Sequence, residues 1–177
     1  MTSEENILAK AEIQLRTNGY HGFSFRDIAR DTGLTSAGVH HHFPTKADLV
    51  VRLAETYKTR FLDALDACPA EGRVACLRDL FAKSLTRDGH MCLCGLLAAE
   101  SGGLPDAVAQ SAHRFFDDLA DRLHVAFPAS DDPRAEALNV LAQLEGAALL
   151  ATVRGDPALF EVATQTLAGG SHSALRH

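Results

Sequence analysis

Tryptophan is absent from this 177-residue chain, and only two tyrosines and two methionines occur. β-branched residues are sparse while Ala and Leu abound, a balance that favours helix over sheet. No apolar stretch approaches the ~18–20 residues needed to cross a bilayer, and the chain does not open on a charged-then-apolar segment. The expectation is a soluble, cytoplasmic protein with no membrane partner. Four cysteines, at 68, 76, 92 and 94, are too few and too unevenly spaced for a secreted disulfide scaffold. In a cytosolic chain they default to thiols, and Cys68 and Cys76 read as small buried hydrophobes. Catalytic spacing is also lacking. There is no Gly-x-Ser-x-Gly, no His-Glu-x-x-His and no glycine-rich phosphate loop. No catalytic residue, metal site or cofactor is assigned, and the chain does not read as an enzyme.

What is present is unevenly distributed. The net charge is −6. Residues 1–62 carry 8 Lys/Arg against 7 Asp/Glu, a sum of +1, and residues 63–177 carry 9 against 16, a sum of −7. Four of the nine histidines also fall in the front part. An acidic total therefore does not exclude a nucleic-acid partner, because local charge decides that interaction.

Apolar spacing predicts a first helix over 4–18, with Ile7, Leu8, Ala11 and Leu15 on one face and Gly19 as its stop. Ser24 caps a second helix with Asp27 three residues on, a capping-box spacing. Gly33 ends that helix, Thr35 or Ser36 caps a short third one, and Pro44 ends it. Thr45 then caps a long fourth helix reaching about Ala67, with Leu49, Val50, Leu53, Tyr57, Phe61 and Leu65 along one face. Five further helices are expected over 71–86, 91–100, 105–127, 133–153 and 157–167. Gly169-Gly170-Ser171 begins a tail expected to fray. The chain thus reads as all-α. A helix-turn-helix domain occupies 1–46, a helical domain 47–170, and a disordered tail 171–177.

The residues from Ser24 to His42 form helix, four-residue turn, helix, the pattern whose second helix enters a DNA major groove. Small residues Ser36, Ala37 and Gly38 let that helix approach base edges. The Thr35 and Ser36 hydroxyls and the free N–H groups of the helix start suit phosphate. His40, His41 and Lys46 reach for phosphates, and Arg26 projects from the supporting helix. Successive His40, His41 and His42 point about 100° apart on a helix, so they do not converge on one metal ion. His42 is expected packed inside or on phosphate.

Residues 4–65 resemble the DNA-binding domain of the tetracycline-repressor (TetR/AcrR) family. The matching residues are Gly19-Tyr20, Gly22, Ser24, Ile28-Ala29, Gly33-Leu34, Ser36, Gly38-Val39, His42-Phe43-Pro44-Thr45-Lys46 and Leu49. The resemblance implies operator contacts from Ser24, Phe25, Arg26, Thr35, Ser36, Ala37, Gly38, His40 and His41, with Lys46 gripping a phosphate. His40 stands where the family usually has a tyrosine. Imidazole keeps a donor, loses reach, and adds a group that ordinarily titrates near ~6.5.

For the back half the resemblance implies an effector-sensing core and a homodimer interface on the last two long helices. Ala135, Leu138, Leu141, Ala142, Gly146, Leu149 and Leu150, with Phe160, Val162 and Leu167, are the candidate seam. Two-fold symmetry then implies a palindromic double-stranded operator. An effector acts by shifting the helix that begins at Lys46 and releasing the DNA. The sensing candidates are Cys92, Cys94, His90, His113 and Phe116. A cysteine near this point resembles a family subgroup that answers oxidants and electrophiles. Cys92, in the first turn of its expected helix and near His90, is the better thiolate candidate. Three readings stay open: a thiol sensor, an apolar small-molecule effector, and a zinc- or copper-responsive repressor using His90, Cys92 and Cys94. Glu100 and Glu145 lie in apolar surroundings, either facing a pocket or exposed. A cysteine-dependent enzyme using Cys92 with His90 or His113 is the remote alternative.

Overall fold

The computed structural model describes residues 2–88 and 90–168. The tail expected over 171–177, and the Gly169-Gly170 end of the second expected domain, lie outside that range. Among the described residues there are ten α-helices and no strand. They are α1 (Ser3–Asn18), α2 (Phe25–Thr32), α3 (Ser36–His42), α4 (Lys46–Asp66), α5 (Arg73–Asp88), α6 (Leu93–Ala99), α7 (Asp106–Leu123), α8 (Pro133–Arg154), α9 (Ala158–Ala163) and α10 (Gln165–Ala168). No helix among them is long and apolar enough to cross a membrane.

Local chemistry sets the helix ends. Thr2 and Glu5 form a reciprocal capping box on α1. Ser24 donates its backbone N–H and its hydroxyl to the Asp27 carboxylate at the start of α2. Thr35 caps α3 by accepting from the Gly38 N–H. Thr45 and Asp48 repeat the reciprocal arrangement before α4. Gly33 stops α2 in the left-handed region, where its φ of +73° suits glycine. The helix expected over 157–167 is broken at Thr164, whose hydroxyl is buried and donates to the Phe160 carbonyl. Arg78 Nε also donates to Thr164, to its carbonyl oxygen at 3.3 Å and to its hydroxyl at 3.1 Å.

The chain gathers into two compact units. The first holds the residues up to Thr59 together with Leu93–Phe115; the second holds Arg60–Cys92 and the chain from Phe116 onward. This grouping differs from a single division at residue 46. In the first unit, Ile7, Ala11 and Leu15 of α1 and Ile28 of α2 are fully buried, with Val39 of α3 and Leu49 and Val50 of α4. Each such side chain contributes roughly 1.5–3 kcal/mol on leaving water, so the three-helix head has a core of its own. Helix α6 also packs on α1 here. The second unit centres on Leu65, Leu77, Phe81, Leu119, Leu123 and Leu144, and Phe61 meets Phe81 edge-to-face at 5.9 Å.

Cys68 and Cys76 are not thiols but form a disulfide, with Cα atoms 6.7 Å apart. The expectation of two separate buried hydrophobes is therefore corrected. Sequence alone placed them eight residues apart with no sign that the turn after α4 brings them together.

Candidate nucleic-acid interface

Helices α2 and α3 carry the recognition candidates. Capping sets both helix starts, and Ile28, Ala29 and Val39 anchor them from beneath. Ser24, Arg26, Thr35, Ser36, Ala37, His40 and His41 are all exposed, and Gly38 is partly so. A Cβ at Gly38 would meet Thr35 Oγ1 at 3.4 Å, so the helix start is tight as well as smooth. His42 is exposed rather than packed inside.

Two expected contacts are placed differently. Phe25 is buried, and its ring packs against the His40 ring at 4.6 Å with the planes 66° apart. It therefore supports His40 from behind instead of facing outward. The His40 Nδ1 atom lies 3.3 Å from the Pro44 carbonyl, which fixes the imidazole from its other side. Lys46 is also turned inward. Its ammonium donates to the Phe23 carbonyl and sits 4.2 Å from the Phe23 ring centre and 4.8 Å from that of Tyr20. Burial holds its pKa below the usual lysine value, with Asp27 and Glu100 pulling the other way. An ammonium held so is a clamp on the turn between α1 and α2, a role its position in the sequence did not disclose.

Acidic side chains on α2 are neutralised locally. Asp27 bonds to Ser24 and lies 3.1 Å from Arg30; Asp31 accepts from Gln14 at 2.5 Å and from Arg30 at 3.1 Å. Hydrogen bonding from Ser24 lowers the Asp27 pKa, and that from Gln14 lowers the Asp31 pKa. Arg26 belongs to neither pair.

The sensing candidates fall in both units and differ in burial. Cys92 is 2% exposed and groups with the second unit, while Cys94, fully buried, groups with the first. Neither is in a disulfide. Cys92 precedes α6 rather than lying in its first turn. His113 is exposed, and His90 and Phe116 are partly buried. Among the described residues no three His, Cys, Asp or Glu side chains converge as metal ligands, so the zinc or copper reading has no ligand set to rest on. Glu145 is the group whose importance sequence reasoning left open. Burial raises its carboxyl pKa to about 7, opposed by the Cys92 thiol.

Comparison with known proteins places the chain in a family. The family model for bacterial regulatory proteins of the tetR family matches residues 7–53, the span of α1 to the first turns of α4. The HTH-type transcriptional regulator LmrA of Bacillus subtilis is 27% identical over 160 residues, covering 84% of this chain and 85% of that protein. A TetR transcriptional regulator from Legionella pneumophila superposes with a TM-score of 0.87 at 26% identity, covering 94% of this chain and 96% of that one. A TetR-family regulator from Agrobacterium tumefaciens gives 0.85 at 28% identity, with 94% and 95% covered. These relatives are transcriptional regulators, and the cysteine-enzyme alternative is set aside on that ground. The protein is a DNA-binding transcriptional regulator of the TetR family.

Proposed function

We propose that this regulator represses transcription as a homodimer on a palindromic operator and is released by a small-molecule effector bound in its second unit. The observation that carries the DNA half is the joint exposure of Arg26, Thr35, Ser36, Ala37, His40 and His41 around one short, capped helix. Arg26 supplies charge to the backbone, and the small residues admit base edges.

The homodimer reading is supported by α8. Its buried face holds Ala137, Val140, Leu141, Leu144, Ala148 and Ala151. Its opposite side is also apolar: Leu138, Leu149, Leu150 and Val153 are 47%, 49%, 58% and 75% exposed. Ala142 and Gly146 continue that stripe at helical spacing, and Gly146 has open space beside it. Val162 of α9 adds a further exposed apolar group at 64%. A helix apolar on both sides is made for burial on both sides. A second copy is the occupant a two-fold operator requires.

The small-molecule reading is preferred to thiol sensing because Cys92 is sealed from solvent and sits beside a carboxyl group. Reactive cysteines occupy accessible, electropositive surroundings. Fluorescence anisotropy on duplex DNA from upstream of its own gene tests the reading, with a scrambled duplex and a salt series as controls. Tight binding confined to the native duplex is the expected result. Equal affinity for the scrambled duplex would remove it.

A further inference from the structure

Glu145 lies on α8 between Leu144, which is fully buried, and the exposed Gly146. The residue is partly exposed as a whole, yet both carboxyl oxygens are inaccessible and neither has a hydrogen bond of acceptable geometry. The exposed part is therefore stem or backbone, and the carboxyl is aimed inward. The group it meets is the Cys92 thiol, which acts on it as a weak donor and is itself 2% exposed.

Thr164, a buried polar side chain of the same unit, is fully engaged. It donates to the Phe160 carbonyl and accepts from Arg78 Nε at 3.1 Å. The Glu145 carboxyl differs from it in having both oxygens buried and neither in a well-formed hydrogen bond. Buried polar groups are nearly always hydrogen-bonded, and an exception calls for a cause. A buried carboxyl group whose one donor is a weak thiol is unfavourable in either protonation state, and most so when ionised. Its complement is a cation that brings N–H donors, because charge-assisted bonds are the strong ones. An anion is excluded by the same charge. Helix α8, which carries Glu145 and the buried Leu144, packs against α5, whose Leu77 and Phe81 are buried apolar side chains. The thiol sulfur adds a soft, polarisable wall.

We infer that Glu145 and Cys92 form the polar end of an effector site whose ligand is a small organic ammonium ion carried on an apolar body. This rests on the effector-released regulator proposed above and specifies its effector. The ammonium N–H groups bond the carboxylate, the alkyl or aryl body displaces water from the interior of the second unit, and no covalent step is involved.

The test uses purified full-length protein at pH 7.5 and three probes matched in length: hexylamine, hexanol and hexanoate. Calorimetric titration and thermal shift are read on wild type and on Glu145→Gln, with circular dichroism confirming that the variant is folded. Hexylammonium is expected to bind wild type about tenfold or more tightly than hexanol, the weight of one charge-assisted hydrogen bond. Hexanoate is expected not to bind, and Glu145→Gln to lose the preference for the amine. Equal binding of all three probes, no binding of hexylamine, or an unchanged preference in Glu145→Gln would each overturn the inference. The three wild-type titrations decide the matter even if the variant does not fold. Operator anisotropy on the same wild-type sample separates the two levels. Intact operator binding without amine binding sinks the effector class alone, whereas absent operator binding sinks the regulator reading itself.

Discussion

The Glu100 carboxylate accepts the Tyr20 backbone N–H at 2.9 Å, joining the residue after α6 to the turn after α1. The adjacent Gly19 has φ +72° and ψ 175°, a region open to glycine alone, and a Cβ there would lie 2.5 Å from Glu100 Oε1. His21 adds a second tie, its Nε2 lying 3.1 Å from the Gly103 carbonyl. Gly19→Ala should lower stability by roughly 1–3 kcal/mol through backbone strain. Chemical denaturation checks this: a midpoint equal to wild type would mean that the turn relaxes freely.

Recognition residues should separate into two kinds. Arg26→Ala should weaken binding to all duplexes alike and reduce the salt slope by about one, as expected for one lost phosphate contact. Substituting bulk at the smooth helix start, as in Ala37→Leu, should instead damage the native operator and spare non-specific binding. The readout is anisotropy at several salt concentrations on both duplexes.

Charge placed on the outer stripe of α8 should prevent assembly. Leu150→Glu with Val153→Glu alters two side chains that are more than half exposed, so the fold of one chain should survive. Light scattering is expected to give a dimer for wild type and a monomer for the double variant. A monomeric wild type would end the dimer reading.

The Glu145 carboxyl makes stability depend on pH. Its folded pKa is about 7 against 4.5 for an unhindered group. The folded protein therefore holds that proton where the unfolded chain has released it. Stability should fall as pH rises from about 4.5 to 7, by something on the order of 3 kcal/mol in total, and level off above. Glu145→Gln should flatten that part of the curve. Melting or denaturant midpoints across the range provide the measurement.

The disulfide between Cys68 and Cys76 predicts a thiol count of two in the unfolded, unreduced protein and four after reduction. Closing so short a loop contributes about 2–3 kcal/mol in the chain-entropy account. Reductant should therefore lower the melting temperature of wild type. It should leave that of a Cys68→Ser, Cys76→Ser double variant unchanged.

Much of this was legible in the sequence because it is local. The Ser24–Asp27 and Thr45–Asp48 pairs announce helix starts by spacing, and the apolar steps from Leu49 to Leu65 announce α4. The exposure of Arg26, Thr35 and Ser36 follows from their positions in the helix-turn-helix. What stayed hidden depends on partners distant in sequence. Lys46 is a cation at a helix start and reads as a phosphate ligand until the carbonyl of Phe23 claims it. Phe25 reads as a contact residue until its ring is found beneath His40. Cys92 and Glu145 are 53 positions apart, and no periodicity joins them. The break at Thr164 has no glycine or proline to announce it.

The boundaries between the two compact units fall after Thr59 and after Phe115, both inside helices, and after Cys92, immediately before α6 begins. A fragment ending at Thr59 would lack residues 93–115 and leave bare the side of α1 on which α6 packs. The compact unit that holds the DNA-reading head is thus discontinuous in sequence. Truncation after Thr59 is therefore expected to expose that face of α1 and to lower the solubility of the fragment.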